Sequence, residues 1–228
     1  GLVDKAIADG MPALAITDHG NMFGIKEFTN YVKKVNGKTK GKISDAEKEL
    51  AEAIAANDTE KQVEKEAEIA KLKKKILKPI IGCEMYVAQE NLLEHVDKRD
   101  TGRHLKKKKK NETGYHNLIK LVSKAWTEGF YSHPRTDKHE LAKHREGLII
   151  CSACLGGEIP RLLSAGRDAE ADASVKWWKE TFGDDYYIEL QRHKATVTRA
   201  NHDVYEAQMA IEPKLRALAE KYNIKIIA

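Results

Sequence analysis

Several residues that can bind a metal ion or move a proton follow directly after short apolar segments of this chain. They are Asp18 and His19 after Ala13–Ile16, Glu84 shortly after Ile80–Ile81, and Cys151 and Cys154 after Leu148–Ile150. Short apolar runs are typical of buried strands, and α/β proteins display their chemistry at the C-terminal ends of such strands. A mixed set of carboxylate, imidazole and thiolate groups suits zinc. The pattern therefore predicts a metal site assembled from separate strands.

Each candidate ligand also has a simpler interpretation. His19 could be a hydrogen-bonded histidine in a turn that Gly20 permits, Glu84 could pair with a lysine, and Cys154 could be a small core residue. The repetition of the pattern favours the metal site, because parallel strands would bring their ends to one rim. His193 follows another apolar segment, and we interpret it as a surface or supporting residue rather than a ligand.

The composition predicts a soluble α/β protein with one large domain or two small ones. The 228 residues have a mean hydropathy of −0.58, and no apolar run approaches the ~20 residues that a membrane-spanning helix needs. The net charge of +5 permits contact with nucleic acid, but 35 acidic residues against 40 basic ones do not require it. Three cysteines without a secretory signal predict reduced thiols.

Apolar periodicity predicts strands that alternate with helices. The first strand begins at Ala13, and the others are expected at Ile80–Ala88, Leu148–Ser152, Tyr186–Leu190 and Ile224–Ala228. Helices are expected at Gly1–Gly10, Phe23–Val35, Tyr115–Trp126, Lys138–His144 and Asp168–Phe182. The segment Ala207–Tyr222 is expected to be helical in its second half, with Pro213 in the first turn. This alternation predicts a mainly parallel sheet with right-handed crossovers, either open or closed into a barrel. Candidate ligands at several strand ends favour the barrel.

Two stretches differ in composition from the rest of the chain. Residues 37–77 are rich in Glu, Lys and Ala, and two capping-box patterns begin at Ser44 and Thr59. They predict an antiparallel helical hairpin outside the core, which we interpret as a strut or docking surface. Lys106–Lys110 is the densest basic run, and its composition predicts a solvated loop.

Six segments carry a family resemblance. They are Gly10–Gly24, Pro79–Val87, Asn111–Leu118, Glu128–Tyr131, Ser152–Pro160 and Tyr187–His193. Together they resemble the PHP (polymerase and histidinol phosphatase) domain of the bacterial DNA polymerase III alpha subunit. The resemblance implies a distorted (β/α)7 TIM-like barrel, with residues 1–228 forming a single PHP domain. The predicted hairpin 37–77 is similar to an insertion found in part of this family.

The resemblance also implies a set of metal ligands. The matching positions are His19, Glu84, His104 and Cys154, and Asp18 is expected to support His19 without contacting the metal. The implied ions are zinc, manganese or iron. Two family motifs, His-x-His and Asn-Asp-x-His, would lie before residue 1 and after residue 228, so we expect truncation at both ends and an incomplete site. The family has an apolar strand at the position of Lys106–Lys110, which predicts a displaced or altered strand here.

The function that the resemblance implies is DNA replication as part of a DNA-directed DNA polymerase. The domain would be a metal-dependent phosphoesterase acting as a 3′–5′ proofreading exonuclease, or a degenerate scaffold that docks the proofreading subunit. The implied partners are DNA, the proofreading exonuclease and the sliding clamp, in the bacterial cytoplasm. The magnesium-dependent polymerase acids lie outside this sequence, and we expect this chain alone to show little phosphoesterase activity. The alternative is a free-standing PHP-family phosphatase.

Overall fold

The computed structural model describes residues 1–88, 103–197 and 203–227, and for residues 103–109 it describes the backbone alone. The chain divides into two compact units, Gly1–Ile16 with Phe23–Ile81 and Thr17–Met22 with Gly82–Ala228. Within the described ranges, none of the helices combines the length and the apolar character that a membrane span requires.

The first unit is mainly helical. Its elements are α1 (Leu2–Ala8), the start of β1 (Ala13–His19), α2 (Ile25–Ala55), α3 (Thr59–Lys73) and the start of β2 (Lys78–Val87). The apolar face of α1 packs against α2 and Leu77, and the buried residues of this core are Val3, Ala6, Phe28, Val32 and Leu77. Asn36 fixes the chain before β2, because its side chain accepts a hydrogen bond from Leu77 N and donates one to Leu77 O.

Helix α2 continues through positions where the sequence predicted a break. The predicted helix Phe23–Val35 and the first helix of the predicted hairpin form one helix of 31 residues. A second difference is the start of α3, where the Asp58 side chain accepts from Lys61 N at 3.1 Å and takes the capping position expected for Thr59. The two helices run in opposite directions, since Ala53 O accepts from Gln62 while Ile69 packs with Ile43 and Ala46.

The second unit contains the ends of β1 and β2 and most of a mixed sheet. Its further strands are β3 (Arg103–Lys109), β4 (Phe130–Tyr131), β5 (His133–Thr136), β6 (Leu148–Cys151), β7 (Tyr186–Glu189) and β8 (Lys225–Ile227). Its helices are α4 (Glu112–Thr127), α5 (Lys138–Lys143), α6 (Glu158–Ser164), α7 (Asp168–Phe182) and α8 (Asp203–Lys221). The strand order is β4-β5-β2-β3-β6-β7-β8, and β1 also pairs with β2. The chain is thus a mixed α/β protein.

Strand β3 corrects the prediction for the lysine-rich run. Four of the five lysines lie in this strand, whose backbone pairs antiparallel with both β2 and β6. The prediction of a solvated loop was wrong because it rested on composition, whereas two neighbouring strands supply hydrogen-bond partners for the backbone whatever the side chains are. β5, β2, β6, β7 and β8 share one direction, whereas β3 and β4 run antiparallel to their neighbours.

Helix α7 covers the sheet as its periodicity predicted. Its inner face, Val175, Trp178 and Phe182, is buried. The Trp178 ring stacks on Phe182 at 5.7 Å and on Tyr186 of β7 at 5.8 Å between ring centroids. Burial raises the pKa of the Tyr186 hydroxyl, with a smaller contribution from the charge of Glu158. This aromatic stack fixes α7 over the strands that lead to Cys154 and His193.

Candidate functional site

Two predicted ligands, His19 and Glu84, lie side by side. His19 Nδ1 is 3.4 Å from Glu84 Oε1. The Glu84 side chain is 7% exposed, whereas that of His19 is 63% exposed, so the carboxylate is presented from the interior toward an accessible imidazole. His19 is the last residue of β1, as the sequence pattern predicted, whereas Glu84 lies within β2, which continues to Val87.

The turn after His19 is held by backbone and side-chain contacts. Gly20 N donates to Glu84 O at 2.7 Å, and Gly20 O accepts from the Trp126 indole at 2.8 Å. Gly20 has φ +65°, and a Cβ there would lie 2.7 Å from Pro134 Cγ. Only glycine satisfies both conditions without strain. The turn therefore fixes the backbone from which His19 projects.

The structure gives less detail for two other predicted residues, His104 and Asp18. The backbone of His104 lies in β3 opposite Tyr86, two residues along β2 from Glu84, and its side chain falls outside the description. Asp18 is half-buried in β1. His104 therefore remains a predicted ligand, and Asp18 a predicted supporting residue.

Cys154 lies in a tight turn between β6 and α6. Ser152 and Ala153 are buried, and the Ser152 hydroxyl accepts from Glu189 N at 2.9 Å. Ala153 has φ +62°, a conformation that costs roughly 1–2 kcal/mol for a residue with a side chain. Gly157 N then donates to Cys154 O at 2.8 Å, which closes the turn into α6. The chain thus holds the half-buried thiol at the C-terminal end of β6.

A small pocket in the second unit connects this turn to the end of β7 and to α8. Its polar lining residues are Cys154, Glu189, Gln191, Gln208 and Glu212. All three cysteines of the chain are free thiols, which confirms the prediction from their number. Within the described side chains, groups of three or more His, Cys, Asp or Glu arranged to hold a metal ion are absent. The structure therefore joins His19 with Glu84, and places Cys154 with residues that the sequence analysis did not single out.

Glu212 is the buried acid of this second cluster. Its carboxylate accepts from Arg192 Nε at 2.8 Å and from Arg216 Nε at 2.8 Å. Hydrogen bonds and charge from Arg192 and then Arg216 lower the pKa of Glu212 to about 2. Glu212 and Gln208 are four residues apart on α8 and share one face of the helix. Only that spacing in the sequence could have indicated the cluster.

The depressed pKa of Glu212 predicts a pH dependence of stability. The ordinary value is 4.5 and the folded value about 2, so the contribution of Glu212 is present above pH 4.5 and is lost as the pH falls to about 2. We expect the melting temperature of Glu212→Gln to fall less than that of the wild type across this window. Thermal melts at several pH values measure the difference, and Glu206→Gln, an exposed acid on the same helix, controls for loss of a charge. Parallel curves for the wild type and Glu212→Gln would contradict the prediction.

Gln208 makes two hydrogen bonds to a single residue. Its Oε1 accepts from His193 N at 2.7 Å, and its Nε2 lies 3.1 Å from His193 Nδ1. Gln208 is 5% exposed, while His193 lies exposed in the segment after β7. The amide therefore fixes both the backbone and the ring of His193.

A family model and individual relatives agree on the family to which this chain is similar. Residues 1–193 match the model described as PHP domain. The DNA polymerase III subunit alpha of Borreliella burgdorferi is 38% identical over 194 residues, which cover 84% of this chain and 13% of that protein. The subunits of Deinococcus radiodurans and Thermus aquaticus are 32% and 35% identical, each over 95% of this chain. The chain spans only 13% and 14% of these two relatives.

The matched region contains β1 and β2, which carry His19 and Glu84, and the turn after β6 that carries Cys154. It also extends to His193, the last residue matched. The family resemblance that the sequence motifs indicated is confirmed by a match over most of the chain. This chain belongs to the PHP domain family.

Proposed function

We propose that this chain is the PHP domain of a replicative DNA polymerase III alpha subunit and that it contributes a metal-dependent phosphoesterase site to DNA replication. The observation that carries the proposal is the pair of His19 Nδ1, at the end of β1, and Glu84 Oε1, within β2, which lie 3.4 Å apart. An accessible imidazole beside a buried carboxylate supplies two donors of the kinds that zinc and manganese accept. The similarity to polymerase subunits over 84–95% of the chain supports the replicative role.

The proposed metal ligands are His19, Glu84, His104 and Cys154, with Asp18 supporting His19. The donor chemistry fits a zinc, manganese or iron ion, because imidazole, carboxylate and thiolate are all represented. A bound ion would polarise a phosphoryl oxygen and lower the pKa of a bound water. The protein's own contribution is orientation, since Gly20 N holds the Glu84 backbone and the Trp126 indole holds Gly20 O.

A second candidate is a scaffold role. The contact between His19 and Glu84 would then be a structural ion pair that keeps a degenerate site folded, and the domain would dock a separate proofreading subunit. In either role we propose that both compact units belong to one domain with the distorted (β/α)7 barrel of the family, in the bacterial cytoplasm. DNA, the proofreading exonuclease and the sliding clamp are the proposed partners, and the magnesium-dependent polymerase acids lie outside this chain. A free-standing phosphatase remains the alternative function.

Metal binding by variants of this chain separates the two roles. If Glu84 is a ligand, Glu84→Gln is expected to weaken zinc or manganese binding by more than about tenfold, because removing even an outer partner of a ligand has that effect. Isothermal titration of the apo chain measures the affinity. His19→Ala is expected to have a similar effect.

The matched control is Glu146→Gln, which removes a carboxylate in the turn before β6. Equal affinities for the wild type, Glu84→Gln and His19→Ala would contradict the metal site and leave the scaffold role. A loss of folding in Glu84→Gln would appear in the circular dichroism spectrum, so it can be told apart from a loss of binding. Zinc-dependent hydrolysis of an oligonucleotide 3′ end by the full-length protein, abolished by Glu84→Gln, would identify the exonuclease.

A further inference from the structure

We propose that the segment Arg192–Lys194 is a phosphate-binding rim, in which the neutral imidazole of His193 donates a hydrogen bond from Nε2 to an oxygen of a single-stranded DNA phosphodiester. The inference rests on the proposed function, because it names the substrate group that this domain would hold beside its candidate metal ligands. It assigns His193 to substrate binding rather than to metal binding.

The buried amide of Gln208 determines the state of the His193 ring. Gln208 Oε1 already accepts from the His193 backbone N–H at 2.7 Å, so the other end of the amide is the NH2 group. That group donates to His193 Nδ1 across 3.1 Å, which makes Nδ1 the acceptor. In a neutral imidazole the hydrogen then resides on Nε2.

This tautomer suits an anionic oxygen and does not suit a metal. A histidine that binds a metal through Nε2 needs a lone pair there and donates its Nδ1–H to an acceptor. His193 has the opposite arrangement, with a donor directed at Nδ1 and a hydrogen on Nε2. An N–H group directed outward from an exposed ring can donate to a phosphate oxygen.

The charges around His193 favour an anion. Arg192 and Arg216 share the single carboxylate of Glu212, so one positive charge of that group is not balanced within it. Lys194 is exposed, with its ammonium 5.8 Å from the Tyr205 ring. Guanidinium groups and a neutral N–H donor are common phosphate contacts in DNA-binding proteins.

The rim adjoins one of the proposed metal ligands. β6 and β7 are parallel, so the turn with Cys154 and the segment Arg192–Lys194 both follow the C-terminal ends of neighbouring strands. Gln191 and Gln208 line the same pocket as Cys154. A phosphodiester held at His193 would therefore lie at the same end of the sheet as the thiol.

The first test measures the tautomer directly. Two-bond proton–nitrogen NMR correlations distinguish the two neutral forms of histidine, and His193→Gln identifies the signals of His193. We expect the Nε2–H form in the wild type at neutral pH and a mixture of both forms in Gln208→Met, which loses the donor to Nδ1. An Nδ1–H form in the wild type would overturn the proposal.

The second test measures binding of a fluorescein-labelled oligothymidylate by anisotropy, in the presence of EDTA so that metal binding does not contribute. His193→Ala is expected to weaken binding about tenfold, the effect of losing one hydrogen bond to a charged group. His193→Gln retains an N–H donor and should recover most of the affinity. If DNA supplies the natural ligand, inorganic phosphate should displace the labelled oligothymidylate only weakly. If free phosphate is the natural ligand, its affinity should equal that of the oligonucleotide. The matched control is His139→Ala, an exposed histidine on α5.

The outcomes separate this inference from the proposed function. Weaker DNA binding by His193→Ala with unchanged zinc affinity supports the rim. A loss of zinc affinity in His193→Ala as large as that in Glu84→Gln would make His193 a ligand and overturn it. A wild-type chain that binds zinc but shows no His193-dependent binding of oligothymidylate would overturn the rim while leaving the metal site in place. A chain that binds DNA at the rim but no metal would support the rim and contradict the phosphoesterase.

Discussion

Gly147→Ala is expected to destabilise the second unit by more than about 4 kcal/mol, which is exceptional for a single substitution. A Cβ at this position would lie 2.3 Å from Asn111 Oδ1 and 2.6 Å from Gly114 N. Neither atom can move freely, because Asn111 Oδ1 accepts from Gly114 N at 2.9 Å and caps the start of α4. Gly147 also has φ +71°, which adds roughly 1 kcal/mol or more for alanine.

We expect Gly147→Ala to disturb the sheet as well as the helix cap. Lys110 N donates to Gly147 O at 2.8 Å at the end of β3, so a shift of Gly147 disturbs the strand as well as the helix. Loss of the Asn111 cap alone costs about 1 kcal/mol. Urea unfolding followed by circular dichroism measures the free energy of unfolding, and we expect Gly147→Ala to have lost most of its cooperative transition.

Gly166→Ala is the matched control for this experiment. Gly166 has φ +70°, but nothing lies within 4 Å of the position that a Cβ would occupy. It should therefore show only the conformational cost of roughly 1–2 kcal/mol. Equal losses in the two variants would contradict the steric argument and leave only a backbone effect.

The same contact shows what the sequence could and could not predict. The helix at Tyr115–Trp126 followed from its apolar spacing, and the segment Asn111–Leu118 matched the family. Glycine is needed at position 114 because the backbone of Gly147 approaches it closely. A contact between residues so far apart in the chain leaves no local pattern in the sequence. Local periodicity reports which face of an element is buried, but not which backbone meets it.

The sequence predicted some residues of the candidate site and missed others. His19 and Glu84 were found because each follows an apolar strand, and the structure brings them within 3.4 Å of each other. Gln208 and Glu212 were missed because Pro213 was expected in the first turn of a helix, whereas α8 begins at Asp203 and contains Pro213 in its interior. The Gln208 side chain matters through its contact with the His193 ring, which lies 3.1 Å away but belongs to another segment of the chain, and composition does not report such a contact.

The prediction for the lysine-rich run was wrong for a different physical reason. Strand propensity mostly measures how a side chain packs on a sheet, and lysine scores poorly in that respect. The backbone ladders to β2 and β6 do not depend on side-chain type. A central position between two strands can therefore override the composition of Lys106–Lys109.

Glu158→Ala is expected to lower the free energy of unfolding by about 2–4 kcal/mol. Glu158 begins α6 and is 11% exposed at its side chain. Its carboxylate accepts from Lys138 Nζ at 3.0 Å and from the Trp178 indole at 3.1 Å. Alanine would leave the indole N–H, on a residue only 2% exposed, without its acceptor. It would also leave the Lys138 cation over the rings of Trp177 and Trp178 without its carboxylate.

Two further variants separate the hydrogen bond from the charge pair. Glu158→Gln keeps an acceptor for Trp178 and loses only the negative charge, so its loss of stability should be clearly smaller than that of Glu158→Ala. Lys138→Met removes the cation, and the double variant Glu158→Ala/Lys138→Met should be more stable than the sum of the single losses, because no unpaired charge remains. Additive losses in chemical denaturation would show that Lys138 and Glu158 act independently. In that case the network that joins α5, α6 and α7 would owe its stability to apolar packing of Trp178 alone.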